Sequence, residues 1–276
     1  MDTSVLIVSS GYIFATAFLV AVTRSILLSF VTSPFLQRAI LEFLATFEFL
    51  ATVFEIGILL QTYGLPAFVI ALIIMANYWG RSWRGATAAP HNHIVDMIKG
   101  NGSKVESVGF ILAEIFAASL VFPFYVKQYW GLGFLPIHTA RLAGVASCSS
   151  FLKVGVYNGA FLEAFGTLAF NICARILRTL QYNFVTVPGA LAAIKIVGMS
   201  LTGGFLNPIL ASTLQFNCAG NAVWEHVLVY WLGPVVGLTV FTMLLYPAKP
   251  PKPQETAKDD KTKVDKEGKK KAKKDD

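Results

Sequence analysis

The sequence predicts an all-α membrane protein with six transmembrane helices, two re-entrant half-helices and an extra N-terminal hydrophobic segment, arranged as an inverted repeat. Three observations lead there. The 276 residues are 55% hydrophobic with 22 Phe, and the mean hydropathy of +0.59 exceeds that of an ordinary soluble domain. Apolar stretches of helical length follow one another from Thr3 to Tyr246. Within them, Pro90 and Pro208 each start a helix too short to cross a bilayer.

In chain order, Thr3 to Thr23 carries no charge before Arg24 and is long enough to cross, though its pattern does not decide whether it does. It lacks a basic leading region and a small-residue cleavage site, which sets it against the alternative of a removable signal peptide. Six further spans follow: Ala39 to Leu60, Leu65 to Trp79, Val105 to Val126, Val154 to Ile176, Val187 to Leu201 and Val223 to Tyr246. The second and fifth are short, and each runs through a Gly-containing turn to a helix-starting Pro. Residues 1–37 thus form a hydrophobic segment with a basic linker, 38–246 the membrane domain, and 247–276 a tail. From position 249 onward the tail holds 11 of the 23 Lys and Arg and 7 of the 16 Asp and Glu, a composition that cannot bury a core and predicts disorder. The net charge of +7 therefore gives no nucleic-acid footprint, because no basic folded face accompanies it.

The sharpest signal is Leu206-Asn207-Pro208-Ile209, after the turn at Thr202-Gly203-Gly204. Pro at the first helical position needs no partner for its missing N–H, and Asn before it caps the first turn. From Ile209 to Phe216 the helix is roughly 12 Å long, under half of a bilayer core of about 30 Å. Irregular backbone at that depth persists only where protein buries it or where it lines a wet cavity, so the segment predicts a pore or binding site.

An internal repeat supports this. Leu41-Glu42-Phe43-Leu44-Ala45-Thr46 matches Leu162-Glu163-Ala164-Phe165-Gly166-Thr167 in type and spacing, and the Glu-to-turn distance is nearly kept, 47 residues to Ala89 and 44 to Asn207. The halves cover about 38–126 and 154–246, and three crossings in each invert the second in the membrane, bringing the two half-helices together near the midplane. Arg24, Arg38, Arg81, Arg84, Lys99, Lys104, Arg175 and Arg178 fall on the side of the tail, against Lys127, Arg141 and Lys153 opposite, which marks the tail side as cytoplasmic.

The repeat, the Asn207-Pro208 turn and Val229-Tyr230-Trp231-Leu232-Gly233-Pro234-Val235-Val236-Gly237 together resemble the aquaporin (major intrinsic protein) family. Leu41 to Phe47, Ser147-Cys148-Ser149-Ser150, and Cys218 eleven residues after Asn207 resemble its superaquaporin, or unorthodox, branch. The resemblance implies an aquaporin-like fold, a homotetramer with one pore per protomer, water and small neutral solutes as cargo, and no cofactor. It implies a pore motif at Asn207, Pro208 and Ile209, and a counterpart at Ala89, Pro90 and His91 in which the capping amide is absent. His91 either replaces the lost donor in the pore or packs with His93 beside Asn92. By position the resemblance places a constriction at Val69, Lys195, Gly204 and Leu210, with the positive charge moved to Lys195. A Lys at membrane depth costs about 2.5 to 3.5 kcal/mol, so Lys195 faces the pore or snorkels to the interface.

Of the acids in the spans, the resemblance makes Glu42 and Glu163 braces for the re-entrant loops and puts Glu114 where Gln is frequent. Glu48 and Glu55, seven apart on one helix face, receive no role and are read as exposed at the interface. Cys148 and Cys218 fall on one side, so a disulfide is topologically possible, yet the spacing does not support it and a buried or interface thiol is preferred; the resemblance makes Cys218 a holder of pore or tetramer. Cys173 reads as packing. Lys273 and Lys274 in the Lys-rich tail have the arrangement of a dilysine retrieval signal, which favours the endoplasmic reticulum or another intracellular membrane over the plasma membrane. No nucleophile, base and orienting group fall at a recognisable spacing, which sets the chain against an enzyme; the resemblance implies a channel for water, with glycerol or hydrogen peroxide as further candidate solutes, and a non-conducting scaffold is the competitor.

Overall fold

A computed structural model of the chain describes residues 3–144 and 147–245; the tail, with Lys273 and Lys274, lies outside the described residues. The described residues form α1 (Thr3–Phe30), α2 (Pro34–Tyr63), α3 (Leu65–Ser82), the short α4 (Pro90–Lys99), α5 (Lys104–Gly131), α6 (Pro136–Gly144), α7 (Val156–Leu177), α8 (Asn183–Met199), the short α9 (Pro208–Gln215) and α10 (Val223–Leu245). Six of these, α1, α2, α3, α5, α7 and α10, are long and apolar enough to cross a membrane, and α8 is a shorter apolar helix of 17 residues. This is an all-α membrane protein.

The packing repeats by halves. Helix α2 packs on α3 and α5 as α7 packs on α8 and α10, and α3 meets α8 across the middle. Each half-helix touches the last span of its own half and that of the other: α4 lies on α5 and α10, and α9 on α10 and α5. At the α7–α10 crossing, Gly233 and Gly237 face the carbonyls of Ala160 and Ala164 so closely that a side chain at Gly237 would run into backbone. Small residues four apart let two helices approach where lipid supplies no hydrophobic drive.

Both third spans contain a π-helical turn. In α5 it covers Phe122–Val126 and contains Pro123; in α10 it covers Val227–Leu232, just before Pro234. A Pro inside a helix lacks the N–H that would continue the ladder, and the wider turn absorbs the mismatch. Past its π turn α5 continues to Gly131, five residues beyond the expected end at Val126.

Helix α1 extends to Phe30 rather than stopping at Thr23, and its 28 residues run about 42 Å. It lies antiparallel along α2: Leu6 N–H donates to Tyr63 Oη at 3.0 Å near one end, and Arg24 Nη2 meets Glu48 Oε2 at 2.8 Å toward the other. Its buried residues Val5, Ser9, Tyr12, Ile13, Thr16, Ala17, Val20 and Arg24 form one stripe at helical spacing, while Ile7, Phe14 and Phe18 point outward.

Two expectations are corrected here. Glu48 and Glu55 are fully buried, not interfacial. Glu48 pairs with Arg24 and accepts from Trp83 Nε1 at 3.0 Å. Glu55 accepts from Trp130 Nε1 at 2.7 Å and contacts His138 Nε2 at 3.1 Å, which docks the unpredicted α6 onto α2. An acid in a spanning helix is retained only with such partners. Secondly, Cys148 and Cys218 form a disulfide, with Cα atoms 5.1 Å apart, rather than standing as thiols. Their loops also exchange backbone hydrogen bonds, Ser150 N–H to Ala219 O and Ala219 N–H to Cys148 O, so pairing is a product of tertiary approach that sequence spacing does not reveal. Cys173 is free and partly buried.

Candidate functional site

The half-helices α4 and α9 begin in the same way. Each has Pro at its first position, and the preceding residue is extended, Ala89 at φ −155° and Asn207 at φ −149°. One step earlier, Ala88 and Leu206 take the left-handed backbone at φ 49° and 54°. Non-glycine residues there cost about 1–3 kcal/mol, so the surroundings must hold them.

Buried carboxylates do the holding. Glu42 Oε2 accepts from the N–H groups of Thr87 at 2.8 Å and Ala88 at 3.1 Å. In the second half Glu163 Oε2 accepts from Leu206 N–H at 2.6 Å, while its Oε1 accepts from Phe205 N–H at 3.2 Å and Thr202 Oγ1 at 2.6 Å. Both Glu side chains are fully buried. Arg38, one turn before Glu42, donates to its Oε1 through Nε at 3.0 Å and Nη2 at 2.7 Å. The first half has a further acceptor, Glu114 Oε1, which takes the Ala89 N–H at 2.6 Å.

At the tips the halves differ. Asn207 Oδ1 accepts from Ile209 N–H at 3.0 Å, capping α9, and its Nδ2 donates to Ala88 O at 2.9 Å in the opposite half. That bond places the N-terminus of α9 against the entry to α4. An amide nitrogen carries two protons, and the structure engages one of them with protein. Ala89 provides no side-chain cap. His91 is 7% exposed, and its Nδ1 is buried without a partner among the described residues, whereas His93 turns into the brace with Nε2 3.3 Å from Glu42 Oε1 and 3.4 Å from Thr87 Oγ1.

Of the positions assigned to the constriction, Lys195 and Gly204 meet directly. The Lys195 ammonium donates to the carbonyls of Gly204 at 3.0 Å and Phe205 at 2.8 Å. Gly204 has φ +59°, and a Cβ there would lie 2.6 Å from Lys195 O; a Cβ on Gly198 would lie 2.8 Å from Gly204 Cα. Backbone touches backbone, which only glycine permits. Leu210 is buried beside Ile209, Phe205 and Tyr230, while Val69, on α3, packs in a separate cluster with Leu72, Met75 and Ala192.

The hydrogen-bond network around the site reaches further than sequence spacing suggests. Gln215, at the end of α9, accepts through Oε1 from Phe151 N–H at 2.7 Å, and Tyr230 Oη donates to Thr202 O at 2.8 Å. The disulfide from Cys218 closes the same loop against α9. An available signal for the unforeseen pairs was the presence of one base, Arg24, and two acids, Glu48 and Glu55, in adjacent apolar helices, where each charge demands a partner. Chemically, the site offers two helix N-termini, each with partial positive charge, brought side by side, and an array of fixed carbonyls and amides. That arrangement can order a neutral polar molecule and repel a cation.

Comparison with known proteins follows the same line. No family model matches the chain. It is 28% identical over 210 residues, 76% of both chains, to "Aquaporin-11" of Milnesium tardigradum. It is 23% identical over 240 residues to "Aquaporin-11" of Homo sapiens, covering 86% of this chain and 88% of that one. To "Putative aquaporin-12B" of Homo sapiens it is 26% identical over 205 residues, covering 71% and 67% respectively.

Proposed function

We propose that this chain, which belongs to the aquaporin family in the branch of aquaporins 11 and 12, passes water and small neutral solutes such as glycerol or hydrogen peroxide down their gradients. The observation that carries the reading is the Asn207 Nδ2 to Ala88 O bond between two helices that each start inside the bundle. Opposed N-termini set partial positive charge at one depth, which penalises cations and hydronium while leaving water free to exchange hydrogen bonds. The second Asn207 amide proton is the donor that orients a passing molecule.

Lys195 acts in this reading as a lining residue that also occupies acceptors. Its ammonium ties up the carbonyls of Gly204 and Phe205, so the passage beside them is cationic and poor in free acceptors. Val69 and Leu210 supply apolar wall, which suits a filter less restricted to water. Glu42 and Glu163 brace the two loops, and Pro90, Pro208 and Ile209 fix the helix starts. His91, buried and without a capping role, supplies the polar edge that Ala89 lacks.

The protomers assemble as a homotetramer surrounded by membrane lipid, and Lys273-Lys274 retains the protein in the endoplasmic reticulum. The Cys148–Cys218 disulfide supports such a location, because a disulfide belongs on the oxidising, lumenal side of that membrane. A second reading rests on one observation, the missing cap at Ala89: a non-conducting scaffold derived from a channel. Stopped-flow shrinkage of proteoliposomes decides between them. Faster shrinkage than empty vesicles, with separate glycerol and peroxide uptake giving the selectivity, supports the channel; shrinkage equal to empty vesicles supports the scaffold.

A further inference from the structure

We propose that Glu42, His93 and Glu114 form a binding site for one divalent transition-metal ion of the zinc class, seated behind the first half-helix. The three come from α2, α4 and α5, all are buried, and one potential ligand atom from each lies within 4.8 Å of the others. His93 Nε2 is 3.3 Å from Glu42 Oε1 and 3.7 Å from Glu114 Oε1. Two ligands bonded at about 2.0–2.1 Å in a tetrahedron stand roughly 3.3–3.4 Å apart, so small side-chain shifts bring these atoms onto one ion. Imidazole with carboxylates is a donor set that suits zinc and its neighbours.

Two features of Glu114 and its surroundings suit a cation. Glu114 Oε2 is buried with no hydrogen-bond partner among the described residues, although its Oε1 is held by Ala89 N–H. Two acids, Glu42 and Glu114, also lie here beside one guanidinium, Arg38 on Glu42 Oε1, so the second acid is balanced either by a proton or by a bound cation. A carboxylate oxygen buried without a donor is costly, and a metal ion supplies the charge and the bond together. A cavity of about 270 Å³ borders His93, lined also by Arg38, Thr87 and Phe110 and by the exposed acids Asp96 and Glu106, which attract a cation.

The site touches function because its ligands also fix the loop. Glu42 holds the amides of Thr87 and Ala88, and Glu114 holds that of Ala89. An ion drawing on both carboxylates locks the entry to α4, giving metal-dependent rigidity where Ala89 provides no cap. The test uses the full chain in detergent, with any purification tag removed, stripped by a chelator and then titrated with Co²⁺ and Zn²⁺. Expected are one ion per chain, a tetrahedral Co²⁺ visible band displaced by Zn²⁺, and at least a tenfold loss of affinity in both Glu114→Gln and His93→Asn, with gel filtration and circular dichroism verifying the fold. If one variant does not fold, the other carries the test. Failure of the parent to retain metal at micromolar free Zn²⁺, showing that a proton balances the site, overturns the proposal; equal binding by a folded variant also overturns it.

Discussion

Replacing Arg24 by Leu tests the docking of α1. The Arg24 and Glu48 side chains are 4% and 0% exposed, and their 2.8 Å contact is between a base and an acid that the bundle buries together. Removing one partner of a buried pair costs about 3–5 kcal/mol, because the other charge is left without compensation. Trp83 Nε1 still donates to Glu48 Oε2, which puts the loss near the lower end, about 3 kcal/mol. At about 2–4 °C per kcal/mol for a chain of this size, the melting temperature falls by roughly 6–12 °C. Thermal melts followed by fluorescence-detected gel filtration measure it. The double variant Arg24→Leu, Glu48→Leu removes the stranded charge and recovers more than half of the loss. A single variant melting within about 2 °C of the parent, or a double variant less stable than the single, refutes the reasoning.

Further outcomes follow from the same geometry. Cys218→Ser opens a covalent loop with a sequence separation of 70, worth about 4 kcal/mol in the chain-entropy treatment; the parent under strong reductant should melt at the variant's temperature, and an unreduced parent showing two free thiols at these positions contradicts the pairing. Gly204→Ala forces a Cβ within 2.6 Å of Lys195 O at a left-handed backbone, so folded yield and water flux both fall, while Gly189→Ala, with open space around it, leaves both unchanged. Lys195→Met frees two carbonyl acceptors and removes the cation, so glycerol uptake per channel rises in proteoliposomes; identical uptake contradicts a lining role for Lys195.

Much of the fold was legible because its signals are local. Apolar runs locate the spans, Pro after a capping residue locates α9, and the repeat of Glu42 in Glu163 locates the symmetry that appears in the packing of α4 and α9. What escaped depends on residues far apart in the chain. Arg24 meets Glu48 only because α1 folds back along α2, and Glu55 meets Trp130 and His138 only after α5 overruns its expected end through the π turn. Cys148 meets Cys218 because the loop before α7 pairs with the one after α9. At the site, sequence position singled out Lys195 and Gly204 but not that one donates to the other's carbonyl, a contact set by two glycines allowing backbones to touch. It singled out His91 as a motif residue and gave His93 no role beyond packing beside Asn92, whereas the face of α4 turned toward Glu42 puts His93 in the brace.

The proposed function depends on the meeting of two half-helix N-termini at Asn207, and Asn207→Asp probes it with little change in shape. The carboxylate still accepts from Ile209 N–H but offers no proton to Ala88 O or to a passing molecule, and it brings negative charge to the convergence point. Water flux and proton leak measured together in proteoliposomes should show the parent conducting water without protons, and the variant losing at least tenfold in water flux per folded protomer. A parent that shrinks no faster than empty vesicles, or a folded Asn207→Asp channel indistinguishable from the parent, would contradict it.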